Sequence, residues 1–176
     1  MEHKLDWAYG TGAALDVSLG FVPGVVFVTN ITDGDVINIG YPSSKTMAFS
    51  SGGTNELKAG HIIVGATSGA TARVVKVLAD TGTWAGGDAA GTLIIDANSV
   101  TGTFTSENIY YQGSTSTNDA TGAALSTPGQ DIDTEVASDT GISAYLGSAT
   151  AAPGITIGSG ISEDAKLLAI VALRTS

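Results

Sequence analysis

Apolar residues alternate with polar ones in several short stretches of this chain. The first clear stretch spans residues 15–21, where every second residue is apolar. A period of two is typical of a β-strand with one buried face. Residues 25–29 and 165–173 are instead apolar at nearly every position, which predicts strands buried on both faces at the centre of a sheet. We therefore expect these two stretches, from opposite ends of the chain, to pair side by side.

A second group of β-branched stretches lies in the middle of the chain. Turn-forming residues separate five of these stretches, near residues 61–64, 72–78, 92–95, 100–104 and 108–111. Short strands at this spacing are typical of a small barrel or sandwich. Residues 113–130 contain small and polar side chains and almost no bulky ones, which predicts a linker or a long surface loop.

These patterns predict an all-β protein. We expect a β-sandwich formed by the N- and C-terminal segments, residues 1–53 and 131–176, with an inserted small β-barrel-like module at residues 54–112. A single continuous sandwich is the alternative arrangement. The abundance of glycine, with 24 residues, and a charged fraction of only 14% agree with many turns and few helices.

The charges are unevenly distributed. The formal net charge is −10, and no lysine or arginine occurs between Val77 and Ala165. That segment contains eleven carboxylates: Asp80, Asp88, Asp96, Glu107, Asp119, Asp131, Asp133, Glu135, Asp139, Glu163 and Asp164. Such a surface repels phosphate backbones and anionic lipids, so we expect neither a nucleic-acid nor a membrane partner. The apolar runs are also too short to span a bilayer.

The sequence contains few residues suited to catalysis. There are two histidines, His3 and His61, and no G-x-S-x-G nucleophile motif. Asp131, Asp133 and Glu135 alternate along one predicted strand face, but the loop pattern of a calcium site is missing, so a solvated acidic face is favoured. We expect no catalytic residue, no metal and no cofactor, and hence no enzyme.

Aromatic and basic residues are the candidates for protein contacts. Trp7 and Tyr9 lie in an N-terminal arm before the first clear strand, where docking to a neighbouring subunit is one use for them. Trp84, in the glycine-rich segment 82–91, either anchors a partner or folds back over the core of the inserted module. Basic side chains outside the acidic segment complete the set of interface candidates: Lys4, Lys45 and Arg174.

Several segments resemble structural proteins of tailed phages. Residues 12–23, with the sequence GAALDVSLGFVP, together with residues 25–30 and 32–35, resemble the opening of small tailed-phage virion proteins. Residues 154–158 and 167–174 are similar to their closing strands. Residues 65–72 and 82–91 look like a glycine-rich β module that recurs in phage structural proteins.

The resemblance implies a capsid decoration (cement) protein without catalytic residues. Such a protein is made in the host cytoplasm, binds the major capsid protein on the exterior of the virion, and forms a dimer or trimer with itself. We expect the unit built from the chain ends to face the shell. A tail- or fibre-associated receptor-binding protein is the first alternative, and a carbohydrate-binding module is the second.

Overall fold

The computed structural model describes residues 2–34, 37–53, 55–131 and 141–174. Within these ranges the chain forms strands, one 3-10 turn at Ala97–Ser99 and no α-helix, which confirms the all-β class. The strands are β1 (His3–Tyr9), β2 (Leu15–Ser18), β3 (Val25–Asn30), β4 (Ile37–Gly40), β5 (Ser44–Gly52), β6 (Ile62–Gly65), β7 (Thr71–Thr81), β8 (Ala89–Asp96), β9 (Glu107–Tyr111), β10 (Ala120–Gly122), β11 (Gly129–Asp131), β12 (Ile142–Tyr145), β13 (Gly154–Ile157) and β14 (Leu167–Leu173). No helix long and apolar enough to cross a membrane occurs in the described part of the chain.

The chain divides into two compact units. Residues 1–43 and 127–176 form one unit, here called the terminal unit, and residues 44–126 form the other, here called the barrel unit. The predicted boundary after residue 53 is therefore too late. β5 pairs with β8 and β10 of the barrel along almost its whole length, so its hydrogen bonds place it in that unit.

The barrel unit contains a closed barrel of six antiparallel strands in the order β10-β5-β8-β7-β6-β9. Each strand has a hydrogen-bonded neighbour on both sides, so the barrel leaves no open sheet edge. Alternate residues of each strand point inward and form the core. The largest fully buried side chains of this core are Met47, Leu57, Ile63, Leu93, Ile95 and Ile109.

The low-complexity segment at residues 113–130 is not simply a linker. It contributes β10, which closes the barrel between β5 and β9, and β11, which pairs with β4 in the terminal unit. Its small side chains suit this position, because a Cβ atom at Gly122 would lie 2.7 Å from the sulfur of Met47. The strand predicted at residues 100–104 is also wrong. Only an isolated bridge joins Thr101 to Thr71, and Gly102 adopts a φ of +77°.

The terminal unit contains two sheets. Five strands pair in the order β1-β14-β3-β4-β11, and three pair in the order β12-β13-β2. The predicted neighbours from opposite chain ends are confirmed, since β14 is antiparallel to β3 with Ile170 opposite Val28. One hydrophobic cluster contains buried residues of both sheets: Val17, Val26, Val28, Ile142, Ile155, Ile157, Leu168, Ile170 and Ala172.

The prediction that β3 and β14 are buried on both faces is wrong. Val28 and Ile170 are fully buried, whereas Phe27 is only half-buried and Val171 is exposed. The N-terminal arm is likewise a strand, β1, which forms the edge of the five-stranded sheet beside β14. The predicted strand at residues 132–136, with Asp133 and Glu135, lies outside the described residues.

Candidate interaction surface

The register of four neighbouring strands brings apolar side chains onto one face of the five-stranded sheet. Leu5 lies opposite Val171, which lies opposite Phe27 on the next strand. Directly paired residues project to the same side of a sheet, so these residues share a face. We call it the outer sheet face, and its side chains are His3, Leu5, Trp7, Tyr9, Val25, Phe27, Thr29, Ile37, Ile39, Leu167, Ala169, Val171 and Leu173.

The outer sheet face is exposed to solvent in the single chain. Leu5 is 58% exposed, Trp7 54%, Tyr9 67%, and both Ile37 and Val171 40%. These five side chains together expose roughly 500 Å² of largely apolar surface, if a large side chain presents about 150–250 Å² when fully open. The largest apolar patch of a typical monomer is about 300–600 Å² and often functional. A patch of this size marks the face as a candidate contact surface for another protein.

The outer sheet face has almost no charge, although the terminal unit is acidic. Eleven acidic and three basic residues fall within the terminal unit, which corresponds to a formal charge of −8. Among the described residues, no carboxylate belongs to the outer sheet face as its register defines it. His3 lies at one end of this face, opposite Leu173 on β14.

All three basic residues of the terminal unit form ion pairs next to this sheet. Lys4 Nζ lies 3.3 Å from an Asp6 carboxylate oxygen on β1. Arg174 Nη1 lies 2.7 Å from Glu2 at one end of the sheet. The local charge beside the strands is therefore partly cancelled.

The third ion pair lies at the other end of the sheet. Lys166 Nζ is 2.7 Å from Asp33, which lies in the turn after β3. Hydrogen bonds from Lys166 and then from Asn30 lower the pKa of the Asp33 carboxyl group. Asp33 consequently remains ionised and paired in neutral solution, and both ends of the outer sheet face are bordered by a paired charge.

The open edge of β1 is protected against strand addition. Glu2 O and Gly10 N bond to the chain of β14, so by strand alternation the backbone groups of Trp7 point away from β14. An Asp6 carboxylate oxygen accepts a hydrogen bond from the Trp7 N–H at 2.9 Å. Lys4 Nζ also donates to the carbonyl of Ser18 at 3.1 Å. Charged side chains at an edge oppose pairing with another strand. The edge of β1 is therefore protected against pairing with another strand, whereas the outer sheet face has no such protection against contact with another protein.

The structure separates the six candidate residues predicted from the sequence. Trp7 and Tyr9 belong to the outer sheet face. Lys4 is on β1 but projects to the opposite side of the sheet, where it bonds to Ser18, and Arg174 directly follows β14. Arg174 also stacks over the ring of Phe21, with its guanidinium carbon 5.7 Å from the ring centroid. Four of the six candidates thus belong to one region of the terminal unit.

The remaining two candidates belong to the barrel unit. Trp84 stacks on Phe49, with ring centroids 5.3 Å apart and an interplanar angle of 12°. Gly52 makes room for it, since a Cβ atom there would lie 2.7 Å from the indole ring. These contacts confirm the interpretation of Trp84 as a cap on the core. Lys45 is partly buried on β5, and desolvation lowers the pKa of its ammonium group.

Sequence reasoning missed most of the outer sheet face. Leu5, Phe27 and Val171 are not among the candidates that the sequence predicts. Leu5 precedes the first clear strand, and Phe27 and Val171 lie in stretches that predict strands buried on both faces. A signal was present in residues 3–9, where Leu5, Trp7 and Tyr9 alternate with smaller or charged residues. That alternation has the period of a strand with one apolar face.

Two buried carboxylates of the barrel unit hold loops in place. Burial opposes ionisation of Glu107, but hydrogen bonds from Ser68, Thr67 and Thr105 outweigh it and lower the pKa to about 2. The backbone N–H groups of Thr67 and Ser68 donate to one carboxylate oxygen at 2.7 and 2.8 Å. Such a carboxylate stays ionised and is unsuited to act as a general acid.

Asp119 has a similar role in the segment before β10. It is 1% exposed and accepts hydrogen bonds from Asn55 Nδ2, Ser114 Oγ and the Tyr111 N–H at 3.0, 2.9 and 3.1 Å. His61 also has a structural role, because its Nδ1 accepts a hydrogen bond from the Lys58 N–H. Among the described residues no group of three or more His, Asp or Glu side chains is arranged to hold a metal ion.

A shallow groove lies on the barrel unit beside β5 and β10. Its volume is about 180 Å³, and its lining includes Ser50, Ser106 and Thr121. Ligand pockets for small molecules usually measure about 300–1,000 Å³. The only aromatic side chain in the lining is the buried Phe49. The groove is therefore a weaker candidate for recognition than the outer sheet face.

No family model, curated protein or solved structure matches this chain. Function must therefore be inferred from the geometry of the described residues and from the resemblance seen in the sequence. The outer sheet face is the feature of that geometry with the clearest functional consequence, because an uncharged apolar surface of this size favours contact with another protein.

Proposed function

We propose that the protein is a non-enzymatic phage capsid decoration protein that binds the assembled major-capsid shell and stabilises it. The observation that supports this role best is the outer sheet face, where Leu5, Trp7 and Tyr9 are more than half exposed. Burying apolar surface is the main driving force of protein association. A chain with such a face is suited to be a subunit of a larger protein assembly.

We further infer that the terminal unit is the predicted β-sandwich. Buried residues of its two sheets belong to one hydrophobic cluster. At Gly40 of β4, an added Cβ atom would lie 2.8 Å from the Cβ of Ile142 on β12, so the two sheets approach closely there. A packed second layer makes the five-stranded sheet rigid and presents the outer sheet face as a fixed surface, which lowers the entropic cost of docking.

In this proposal the terminal unit faces the shell on the exterior of the virion. Lys4 and Arg174, whose side chains contact Ser18 and Phe21 and lie off the outer sheet face, remain the predicted basic contacts with the shell. Modest contacts at each site suffice, because an oligomer that binds several sites of a symmetric shell gains by multivalency. The protein would be synthesised in the host cytoplasm before it joins the particle.

Binding to purified shells tests this function. Shells that lack the protein are mixed with increasing amounts of the purified chain, sedimented, and analysed for bound copies and for thermal stability. We expect saturable binding of the order of hundreds of copies per particle, as symmetric repetition of one site requires, and a higher disruption temperature. Excess unlabelled protein should displace labelled protein, which controls for nonspecific sedimentation.

Other outcomes of the same experiment distinguish the alternatives. Absence of saturable shell binding would contradict the decoration role. If native virions contain only a few dozen copies, the protein is a tail or fibre component. Selective binding on a glycan array would instead favour the carbohydrate-binding module.

A further inference from the structure

We propose that the outer sheet face is covered by a second copy of this chain, so that two terminal units pack face to face as a two-fold dimer. This inference rests on the proposed role of the protein as a subunit of a larger assembly, and it assigns the outer sheet face to self-association, so that the shell contact is made by other surfaces of the terminal unit. It goes beyond a general tendency to associate, because it assigns the surface, the symmetry and the residues that carry the contact.

Charge is the first reason to favour a second copy. The chain has a net charge of −10, so two copies repel each other unless the contact surface is free of carboxylates. The outer sheet face meets that condition, and the charges at its two ends are cancelled by the pairs Arg174–Glu2 and Lys166–Asp33. A partner with a strongly basic docking surface would find no acidic side chain on this face to pair with.

Area is the second reason. Two such faces would bury on the order of 1,000 Å² in total from their most exposed side chains alone, which reaches the lower range of stable interfaces. Half-buried neighbours such as Phe27 and Ile39 add to this area. The combined area thus reaches the roughly 1,000 Å² expected of a specific interface.

The shape of the face is the third reason. Trp7 lies opposite Ala169, and Ala169 lies opposite Thr29, so one row combines a large side chain at the edge with small side chains in the middle. A two-fold axis presents identical surfaces to each other. The indole of Trp7 from each copy can then fill the hollow over Ala169 and Thr29 of the other.

The charged edge of β1 opposes a competing arrangement. Edge-to-edge pairing of two sheets would need the free Trp7 N–H, which donates to Asp6. It would also bring together two edges that each carry Lys4 and Asp6. Packing through the outer sheet face leaves both of these contacts intact, so face-to-face association is the arrangement that the side chains permit.

Sedimentation equilibrium of the purified full-length chain tests the inference. We expect a dimer at micromolar concentration, and we expect Val171→Glu and Trp7→Ser each to weaken it by at least about 30-fold, as loss of a central interface residue does. Val75→Glu is the matched control, because Val75 is also exposed, at 53%, but lies on β7 of the barrel unit. That variant should leave the dimer unchanged.

A monomer at all accessible concentrations would overturn the inference, as would a trimer or a dimer that tolerates both face variants. Circular dichroism checks that each variant is folded. If Val171→Glu does not fold, Trp7→Ser still tests the inference. In a Trp84→Phe background, the emission of Trp7 should also shift to shorter wavelength as the protein is concentrated. Shell binding by a chain that stays monomeric would overturn this inference alone, whereas a dimer that does not bind shells would overturn the proposed function alone.

Discussion

The barrel unit and the terminal unit bury apolar strands in different ways. The barrel closes its sheet, so each strand has two neighbours and the apolar side of every strand points to one interior. The five-stranded sheet of the terminal unit is open and has two faces, of which one contributes to a buried cluster and the other is bare. Eight of the ten exposed large hydrophobic residues among the described residues belong to the terminal unit. Closure thus covers the apolar side of every strand, while the open sheet leaves one apolar face exposed in the single chain.

The two units also differ in net charge. Six acidic and four basic residues give the barrel unit a formal charge of −2, against −8 for the terminal unit. The more acidic unit nevertheless has the larger uncharged surface. The described carboxylates of the terminal unit therefore lie off the outer sheet face, and net charge alone does not show where an uncharged surface is found.

The largest effect is expected from the cores. Leu93→Ala in the barrel should lower the free energy of unfolding by about 2–5 kcal/mol, because a fully buried side chain leaves a cavity. Val171→Ala on the outer sheet face should cost less than about 1 kcal/mol in the monomer, because that side chain is exposed. Urea unfolding followed by Trp84 in a Trp7→Phe background, and by Trp7 in a Trp84→Phe background, measures each unit separately. Equal losses at both sites would contradict the difference drawn between the units.

Asp119 should have the next largest effect. Asp119→Ala leaves the Asn55 amide, the Ser114 hydroxyl and the Tyr111 N–H without their acceptor, and we expect a loss of about 2–3 kcal/mol from the barrel unit. Asp119→Asn is the matched control, since its amide oxygen keeps part of the acceptor set and should cost less. Urea unfolding followed by Trp84 makes the comparison. A neutral result for Asp119→Ala would mean that segment 113–119 does not help to hold the barrel closed.

The smallest effect is expected for the pH dependence of the stability of the barrel unit. The pKa of Glu107 is lowered from 4.5 to about 2 in the folded barrel. An acid with a depressed pKa stabilises the fold at pH values above its unfolded pKa, and this contribution is lost as the pH falls from about 4.5 towards 2. Glu107→Gln should therefore make the barrel less stable at neutral pH and remove part of its acid sensitivity. Urea midpoints measured over that pH window by Trp84 check both effects, and an unchanged pH dependence would contradict the role of Glu107.

Part of this fold follows from local patterns in the sequence. The structure contains strands that the sequence predicts from the alternation in residues 15–21 and from the apolar residues 25–29 and 165–173. The predicted pairing between residues 25–29 and 165–173 is also present. Segment 113–130 could not be predicted in the same way. Its strands β10 and β11 are three residues long, and partners far away in the chain hold them in place.

The candidate surface was less accessible to sequence reasoning than the fold. Trp7 and Tyr9 are predicted as interface candidates because aromatic residues are common in interfaces. Their companions Phe27 and Val171 did not, because an apolar residue in a strand is normally buried. Only the register, which places Leu5 beside Val171 and Val171 beside Phe27, shows that they form one continuous face with the edge strand.

By itself the sequence determined the all-β class and the identity of the most apolar strands, since the side-chain period of a strand is a local property of the chain. The tertiary structure decided which of those strands close into a barrel and which remain in an open sheet. It also decided that one face of the open sheet stays bare. The physical reason is that the hydrophobic effect favours removal of an apolar side chain from water but does not specify which residues it packs against. Those residues depend on the strands that long-range pairing brings next to it.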